Sequence, residues 1–343
     1  MDRTLRGREL AWRYWDGVVR PPLEERFPDL PYAAGRLGTG SDVLGFDDAT
    51  SRDHDWGLRL SLFVPADAVE AVDAELARAL PERFAGLPTR FAITGDGVER
   101  HRVEVATPGA FLVDRLGFDP TAGVRLQDWL SLTGQAVLEV TAGPLFTDRV
   151  GLITAARSAL TWYPDDVWRH VVACDWIRLE QELPLMSRAG DAGDDRGSRV
   201  IAARLAQVAM HLAFLLHRRW PPYAKWFGTA FDSLPGAEAL RAPIDVALAA
   251  TTWQERQAAL AVTLEALLRL QVTAGLTGPD RAVAPFWDRP YLQPAPGIVA
   301  ALLDGIGDGE IRALPRGLGS IEQRTDVVDL LVDARWRRAM ISA

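Results

Sequence analysis

The chain has 343 residues, 48% of them apolar and 24% charged, with 46 acidic against 38 basic side chains and a formal net charge of -8. That composition excludes a disordered tail, a fibrous repeat and a coiled coil. The negative balance argues against a global electrostatic grip on nucleic acid and leaves open only a local basic groove. The single cysteine, Cys174, excludes an intramolecular disulfide framework and a cysteine-built zinc site. Its apolar neighbours Val171, Val172 and Ala173 mark it as a buried, inert thiol. At roughly 150 residues per domain the length predicts about two domains.

Taken in chain order, residues 4–20 carry helical apolar spacing (Leu5, Leu10, Trp12, Trp15, Val18, Val19) that Pro21-Pro22 should stop. The first twenty residues mix charges throughout and do not read as a secretory signal. A loop leads to the glycine-rich run Gly35-Arg36-Leu37-Gly38-Thr39-Gly40-Ser41. Residues 57–64 alternate apolar and polar at period two, which predicts a half-buried strand. Pro65 ends it, and 66–80 reads as an amphipathic helix with Val69, Val72, Leu76 and Leu80 on one stripe. Residues 89–94, 100–107 and 136–142 read as further strands.

Beyond about residue 145 the pattern becomes helical, over 165–182, 197–218, 242–250 and 253–273. The clearest breaks are Gly193 to Gly197 and Trp220-Pro221-Pro222. From Pro279 on, the tail is rich in proline and glycine, with a short helix near 326–341. The expected class is therefore α+β, with an α/β domain over 1–150 and a helical domain with an irregular tail over 151–343. The longest apolar stretches, such as Val208 to Leu216, are broken by His211 and fall short of a bilayer span. A soluble, cytoplasmic protein with no membrane partner is expected.

The most chemically informative segment runs from Gly40-Ser41 to Asp53-His54-Asp55 and on into Leu60-Ser61-Leu62-Phe63-Val64. Residues i and i+2 of a strand share a face, so Asp53 and Asp55 project together and His54 projects away, as a packed or hydrogen-bonded ring. Two carboxylates so close raise each other's pKa unless a cation lies between them. Mg²⁺ (or Mn²⁺) suits that pair, because it takes one or two carboxylates and completes its shell with phosphate oxygens and water. A third carboxylate on a neighbouring strand would allow a two-metal clamp on a phosphoryl displacement. Glu104 is the first candidate; Glu139 is the second, either as a ligand or as the general base. Gly40 and Ser41 offer backbone N–H groups and a hydroxyl to a triphosphate, with Gly38 as a hinge. No lysine follows the glycines and position 43 is Val, so neither the Walker loop nor the dinucleotide fingerprint fits.

Glycine-serine, then Asp-x-Asp at the head of an apolar strand, resembles the nucleotidyltransferase superfamily of DNA polymerase β, whose small bacterial members include aminoglycoside and lincosamide nucleotidyltransferases. The chain is most similar to an uncharacterised bacterial family of that superfamily. The segments that carry the likeness are Leu37-Gly38-Thr39-Gly40-Ser41-Asp42-Val43-Leu44-Gly45-Phe46-Asp47-Asp48, Ser51-Arg52-Asp53-His54-Asp55-Trp56-Gly57 and Trp162-Tyr163-Pro164-Asp165-Asp166-Val167-Trp168. Asp194-Asp195-Arg196-Gly197-Ser198, Pro222-Tyr223-Ala224-Lys225-Trp226-Phe227-Gly228 and Gly319-Ser320-Ile321-Glu322-Gln323 extend it.

The resemblance implies a polymerase β-like domain with a mixed sheet and a C-terminal helical bundle that shapes the acceptor site. It also implies metal-dependent transfer of a nucleoside monophosphate; the expected case is AMP, from NTP (ATP), onto a hydroxyl, with pyrophosphate leaving. The superfamily usually reads Ser-Asp-x-Asp, whereas Arg52 separates Ser51 from Asp53 here. A guanidinium at that point would bind phosphate or weaken the metal.

In the helical domain, Arg204 and Lys225 are candidates for the triphosphate. Lys225 is the one lysine in the chain; every other base is an arginine, and it lies between Tyr223 and Trp226. Its alternative is a snorkelling side chain on an aromatic edge. Arg178, Glu182, Asp194 and Asp195 are candidate acceptor contacts, with helix-surface charge or capping as the alternative. A rival reading pairs Arg204 with His211 as a metal-free helical ribonuclease; a third is a catalytically inactive nucleotide-binding or interaction protein. A small-molecule acceptor is favoured over nucleic acid because no basic stripe stands out.

Overall fold

The computed structural model describes residues 6–48, 50–52, 56–94 and 96–342. The backbone divides into two compact units, one made of residues up to 128, 134–161 and 332–338, the other of 129–133, 162–331 and 339 onward. The class is α+β.

The first unit opens with α1 (Gly7–Tyr14), which passes through one π turn, Trp15–Val19, into α2 (Arg20–Arg26). The stop expected at Pro21-Pro22 does not occur. Both prolines lie in the first turn of α2, where a missing N–H and a fixed φ are tolerated, and the π turn ahead of them re-registers the ladder. Then follow β1 (Ala33–Gly35), α3 (Ser41–Leu44), β2 (Arg59–Phe63), α4 (Val69–Ala79), the short pair β3 (Arg83–Phe84) and β4 (Leu87–Pro88), β5 (Arg90–Ile93) and β6 (Asp96–Ala106). The unit continues with α5 (Pro108–Leu116), α6 (Leu126–Ser131, where the chain passes into the second unit), α7 (Gly134–Thr141), β7 (Leu145–Asp148) and α8 (Leu152–Ala159).

Five strands form one sheet in the order β5-β6-β2-β1-β7. It is mixed, as expected: β2 runs antiparallel to β1 and parallel to β6, with Ser61 opposite both Gly35 and Glu104. Burial explains the strands. Leu60, Leu62 and Val64 pack with Leu10, Tyr14, Val19, Val72, Leu76 and Val103 in one core, so α1, α4 and the sheet each bury one apolar face.

Residues 136–142 are not a strand. All but Ala142 lie in α7, whose buried Ala136, Val137 and Val140 recur at helical spacing, so packing overrides the β-branched composition. The expectation that Glu139 sits on a strand falls with it. Strands β1 and β7, three and four residues long, are too short to show a period and were not anticipated.

The second unit contains α9 (Asp165–Asp191), α10 (Asp195–Leu216), α11 (Ala224–Asp232), α12 (Glu238–Ala249), α13 (Trp253–Thr273), a ribbon of β8 (Val283–Pro285) with β9 (Leu292–Pro294), α14 (Ile298–Asp304) and α15 (Gly309–Arg312). Helix α9 continues past the expected end at 182, with Pro184 buried inside it. Packing along its length offsets the roughly 3 kcal/mol that an interior proline costs. Indole bonds tie the helices: Trp168 Nε1 donates to Leu215 O at 2.7 Å and Trp176 Nε1 to Gln271 Oε1 at 2.6 Å. By length and composition alone α10 could cross a bilayer, contrary to the expectation for that stretch, but more than half of its apolar window is buried in the protein.

Candidate functional site

The glycine-rich run leaves β1 at Gly35 and folds around a guanidinium. Arg36 grips both oxygens of Asp42, with Nε and Nη2 at 2.7 and 2.8 Å. The same side chain donates to Leu37 O at 2.6 Å and Thr39 O at 2.8 Å. The ion pair is almost wholly buried, its two side chains 3% and 7% exposed. Gly40 precedes α3 with φ +142°, and a Cβ there would collide with the Asp42 carboxylate and the Arg36 guanidinium. Ser41 opens α3, whose far end is held by Arg8, donating to Asp42 O at 3.1 Å and Val43 O at 2.6 Å.

Around Leu37 and Gly38 four further elements converge. The Gly38 N–H donates to Glu139 O of α7 at 2.8 Å, and Ser61 Oγ of β2 reaches Leu37 O at 3.5 Å. Arg59, also on β2, donates to Thr39 Oγ1 at 3.1 Å. Glu104 sits on β6 beside Ser61 and is 45% exposed. From α5, Arg115 comes within 3.4 Å of Glu104, 3.5 Å of Asp114 and 3.6 Å of Glu139. Burial raises the Glu139 carboxyl above the usual range, and the positive charge of Arg115 offsets only part of that.

The structure therefore brings Gly38, Gly40, Glu104 and Glu139 to one place. Asp53, His54 and Asp55 lie outside the described residues. Arg52 ends a 3₁₀ turn, Thr50–Arg52. Among the described residues, no three His, Cys, Asp or Glu side chains form a group able to hold a metal ion.

Arg115 was missed by the sequence reading, and with it α5. The signal was present: Thr107-Pro108 is a helix start, and the Thr107 hydroxyl accepts from Ala110 N at 3.1 Å. From there Phe111 and Arg115 fall on one face. Phe111 packs on Phe63 of β2 with ring centroids 4.9 Å apart, and the Arg115 guanidinium lies 5.4 Å from the Phe111 ring.

The remaining candidates belong to the helical unit. Arg204 is paired with Glu182 at 2.8 Å. Lys225, at the start of α11, is exposed and stands 5.3 Å from the Trp226 ring. Asp194 caps α10 by accepting from Gly197 N, and Asp195 pairs with Arg199 and the buried Arg256 at 2.7 and 2.6 Å, so both acids have structural work. His211 lies between Asp175, 2.6 Å from Nδ1, and Glu322, 3.4 Å from Nε2. Burial alone would pull this imidazole down, but the two carboxylates outweigh it and hold its pKa up at about 10. With both ring nitrogens engaged by carboxylates and Arg204 paired with Glu182, the arrangement counts against the ribonuclease reading. Cys174 is 2% exposed and its thiol is pushed up to about 12 by burial, as expected of an inert thiol.

A family model described as a domain of unknown function, DUF4037, matches residues 129–227. That span contains Trp162 to Trp168 and Asp194 to Ser198, and it reaches Lys225. Among solved structures the chain is similar to a nucleotidyltransferase-like protein from Exiguobacterium sibiricum 255-15, at 14% identity and a TM-score of 0.35, over 76% of this chain and 77% of that one. No curated protein matches the chain.

Proposed function

We propose that the chain is a metal-dependent nucleotidyltransferase that moves a nucleoside monophosphate, AMP in the favoured case, from NTP to a hydroxyl of a small molecule and releases pyrophosphate. One observation carries the reading. The glycine-serine loop joins antiparallel β1 and β2, Asp53-x-Asp55 falls in sequence between that loop and β2, and Glu104 lies beside Ser61 on the parallel strand β6. Three carboxylates are hard oxygen donors of the kind Mg²⁺ or Mn²⁺ accepts, and Asp53, Asp55 and Glu104 are the residues that would hold the metal. When bound, it would supply charge neutralisation on the phosphoryl oxygens.

The rest follows from the chain's own groups. Gly40 and Ser41 would present a backbone N–H and a hydroxyl to the triphosphate, with Arg52, Arg204 and Lys225 as further phosphate contacts. Glu139, its affinity for a proton raised by burial, would take the proton of the acceptor hydroxyl. That oxygen then bonds to the α-phosphorus, the bond from the α-phosphorus to the β-phosphate's bridging oxygen breaks, and pyrophosphate leaves. The reading carries a cytoplasmic location, where NTP is abundant.

The test is NTP-dependent pyrophosphate release against a library of hydroxyl compounds. Asp53→Asn and Asp55→Asn should each lower turnover by roughly a hundredfold or more with the circular dichroism spectrum unchanged, and EDTA should stop the wild type. Undiminished turnover in both variants ends the metal assignment.

A further inference from the structure

We infer that Arg115 is a polyphosphate-binding side chain, held in waiting by Glu104 and Glu139 beside the glycine loop, and that a nucleoside triphosphate draws it off both carboxylates.

The argument begins with a contrast between two guanidinium groups in one unit. Arg36 is committed: it makes a closed, bidentate pair with Asp42 and two bonds to loop carbonyls, all between 2.6 and 2.8 Å. Arg115 stands between Glu104, Asp114 and Glu139 at 3.4 to 3.6 Å, longer than a charge-assisted bond. Its buried Nε atom stands 3.5 Å from Asp114 Oδ2 and makes no hydrogen bond there. A guanidinium has five N–H donors in a fixed fork, and here most of that capacity is unspent.

Its place on the fold supplies the ligand class. A Cβ added to Gly38 would lie 3.6 Å from Arg115 Nη2, so the guanidinium flanks the loop at a residue with φ +81° and no side chain in the way. The backbone of α5 is itself fixed, since Arg337 Nη2 donates to Arg115 O at 2.6 Å. The side chain retains 21% exposure, so its head can turn while the helix stays. Planar, bidentate recognition of phosphate is what arginine does better than lysine, and a polyphosphate beside the loop would replace three loose contacts with short ones.

This inference rests on the nucleotidyltransferase reading for its consequence: moving Arg115 away frees Glu104 to bind metal and leaves Glu139 open to the acceptor hydroxyl. The binding step does not depend on that reading. Inorganic tripolyphosphate, ATP and AMP would be titrated into the full chain in EDTA, following tryptophan fluorescence, with wild type, Arg115→Lys and Arg115→Ala. Arg115→Ala should weaken tripolyphosphate and ATP by about tenfold or more and leave AMP unchanged, while Arg115→Lys should fall in between. Should Arg115→Ala not fold, Arg115→Ala combined with Glu139→Gln removes the cation together with the buried acid it neutralises.

Equal tripolyphosphate affinity in wild type and the alanine variants overturns the inference, as does a wild type that binds no tripolyphosphate. Pyrophosphate release that survives Arg115→Ala with unchanged KM for NTP also sinks it and leaves the transferase reading standing. Arg115-dependent tripolyphosphate binding without pyrophosphate release from any NTP does the reverse.

Discussion

Gly40 is held by what lies beneath it. Any larger residue meets the Arg36–Asp42 pair and must also adopt φ +142°, a conformation that side chains resist. Gly40→Ala should therefore destabilise the fold by at least about 2 kcal/mol. Asp42→Asn leaves the Arg36 charge buried and uncompensated, which costs about 3–5 kcal/mol. Because both changes act on one ion pair, the double variant should lose clearly less than the sum of the two, as measured by urea unfolding. A strictly additive pair would mean that the loop does not close on this ion pair. The sequence reading assigned Gly40 to the phosphates alone; the buried pair gives the same glycine a structural duty. No spacing rule announces that, since Arg36 and Asp42 meet only once the loop has folded.

At the scale of elements, the legible parts were those whose burial follows one period. Helix α13 begins and ends where the pattern predicts, because Thr252 and Glu255 form a capping box and the periodic run stops at Thr273. β2 was equally plain from its alternation, and β6 was readable next to it. α7 and α5 were not. Helix α7, short and carrying two valines, looks like a strand until its packing partners are known, and α5 was passed over although Thr107-Pro108 marks its start. Glu104 was placed correctly beside β2; Glu139 was expected at the same site but on the wrong element.

The segment Ser320–Gln323 illustrates tertiary information that no local pattern holds. Gln323 Nε2 donates to Asp175 Oδ1 at 2.7 Å and to Val171 O at 2.8 Å, while Glu322 faces His211. This charged clamp fastens the segment to α9 and α10. The folded His211 pKa lies near 10 against a reference value of 6.5. The clamp's contribution is thus fully present below about pH 6.5 and fades as pH rises towards 10. Melting temperature of the wild type should fall across that window, and His211→Gln should flatten that part of the profile. Parallel profiles for the two proteins would show that the ring is not charged in the folded state.

Over the whole molecule, chain order and unit membership part company near the C-terminus. Residues 332–338 belong with the N-terminal unit, although the sequence reading left them in the tail of the helical domain. They bring three arginines to that unit, of which two are built into it. Arg337 is 1% exposed and donates to the carbonyl of Arg115, while Arg338 reaches the buried Asp128 at 2.6 Å and packs its chain over Gly117. A segment more than two hundred residues downstream thus closes the end of α5, the helix that carries the proposed phosphate contact. Arg337→Ala should lower stability by about 1–3 kcal/mol and speed amide exchange in α5, whereas the neighbouring Arg335→Ala, 89% exposed, should change neither. Deleting residues 332–343 should reproduce the faster exchange in α5 and weaken tripolyphosphate binding along with it. If α5 exchanges at the wild-type rate in both altered chains, the C-terminal segment is not what holds Arg115 at the loop.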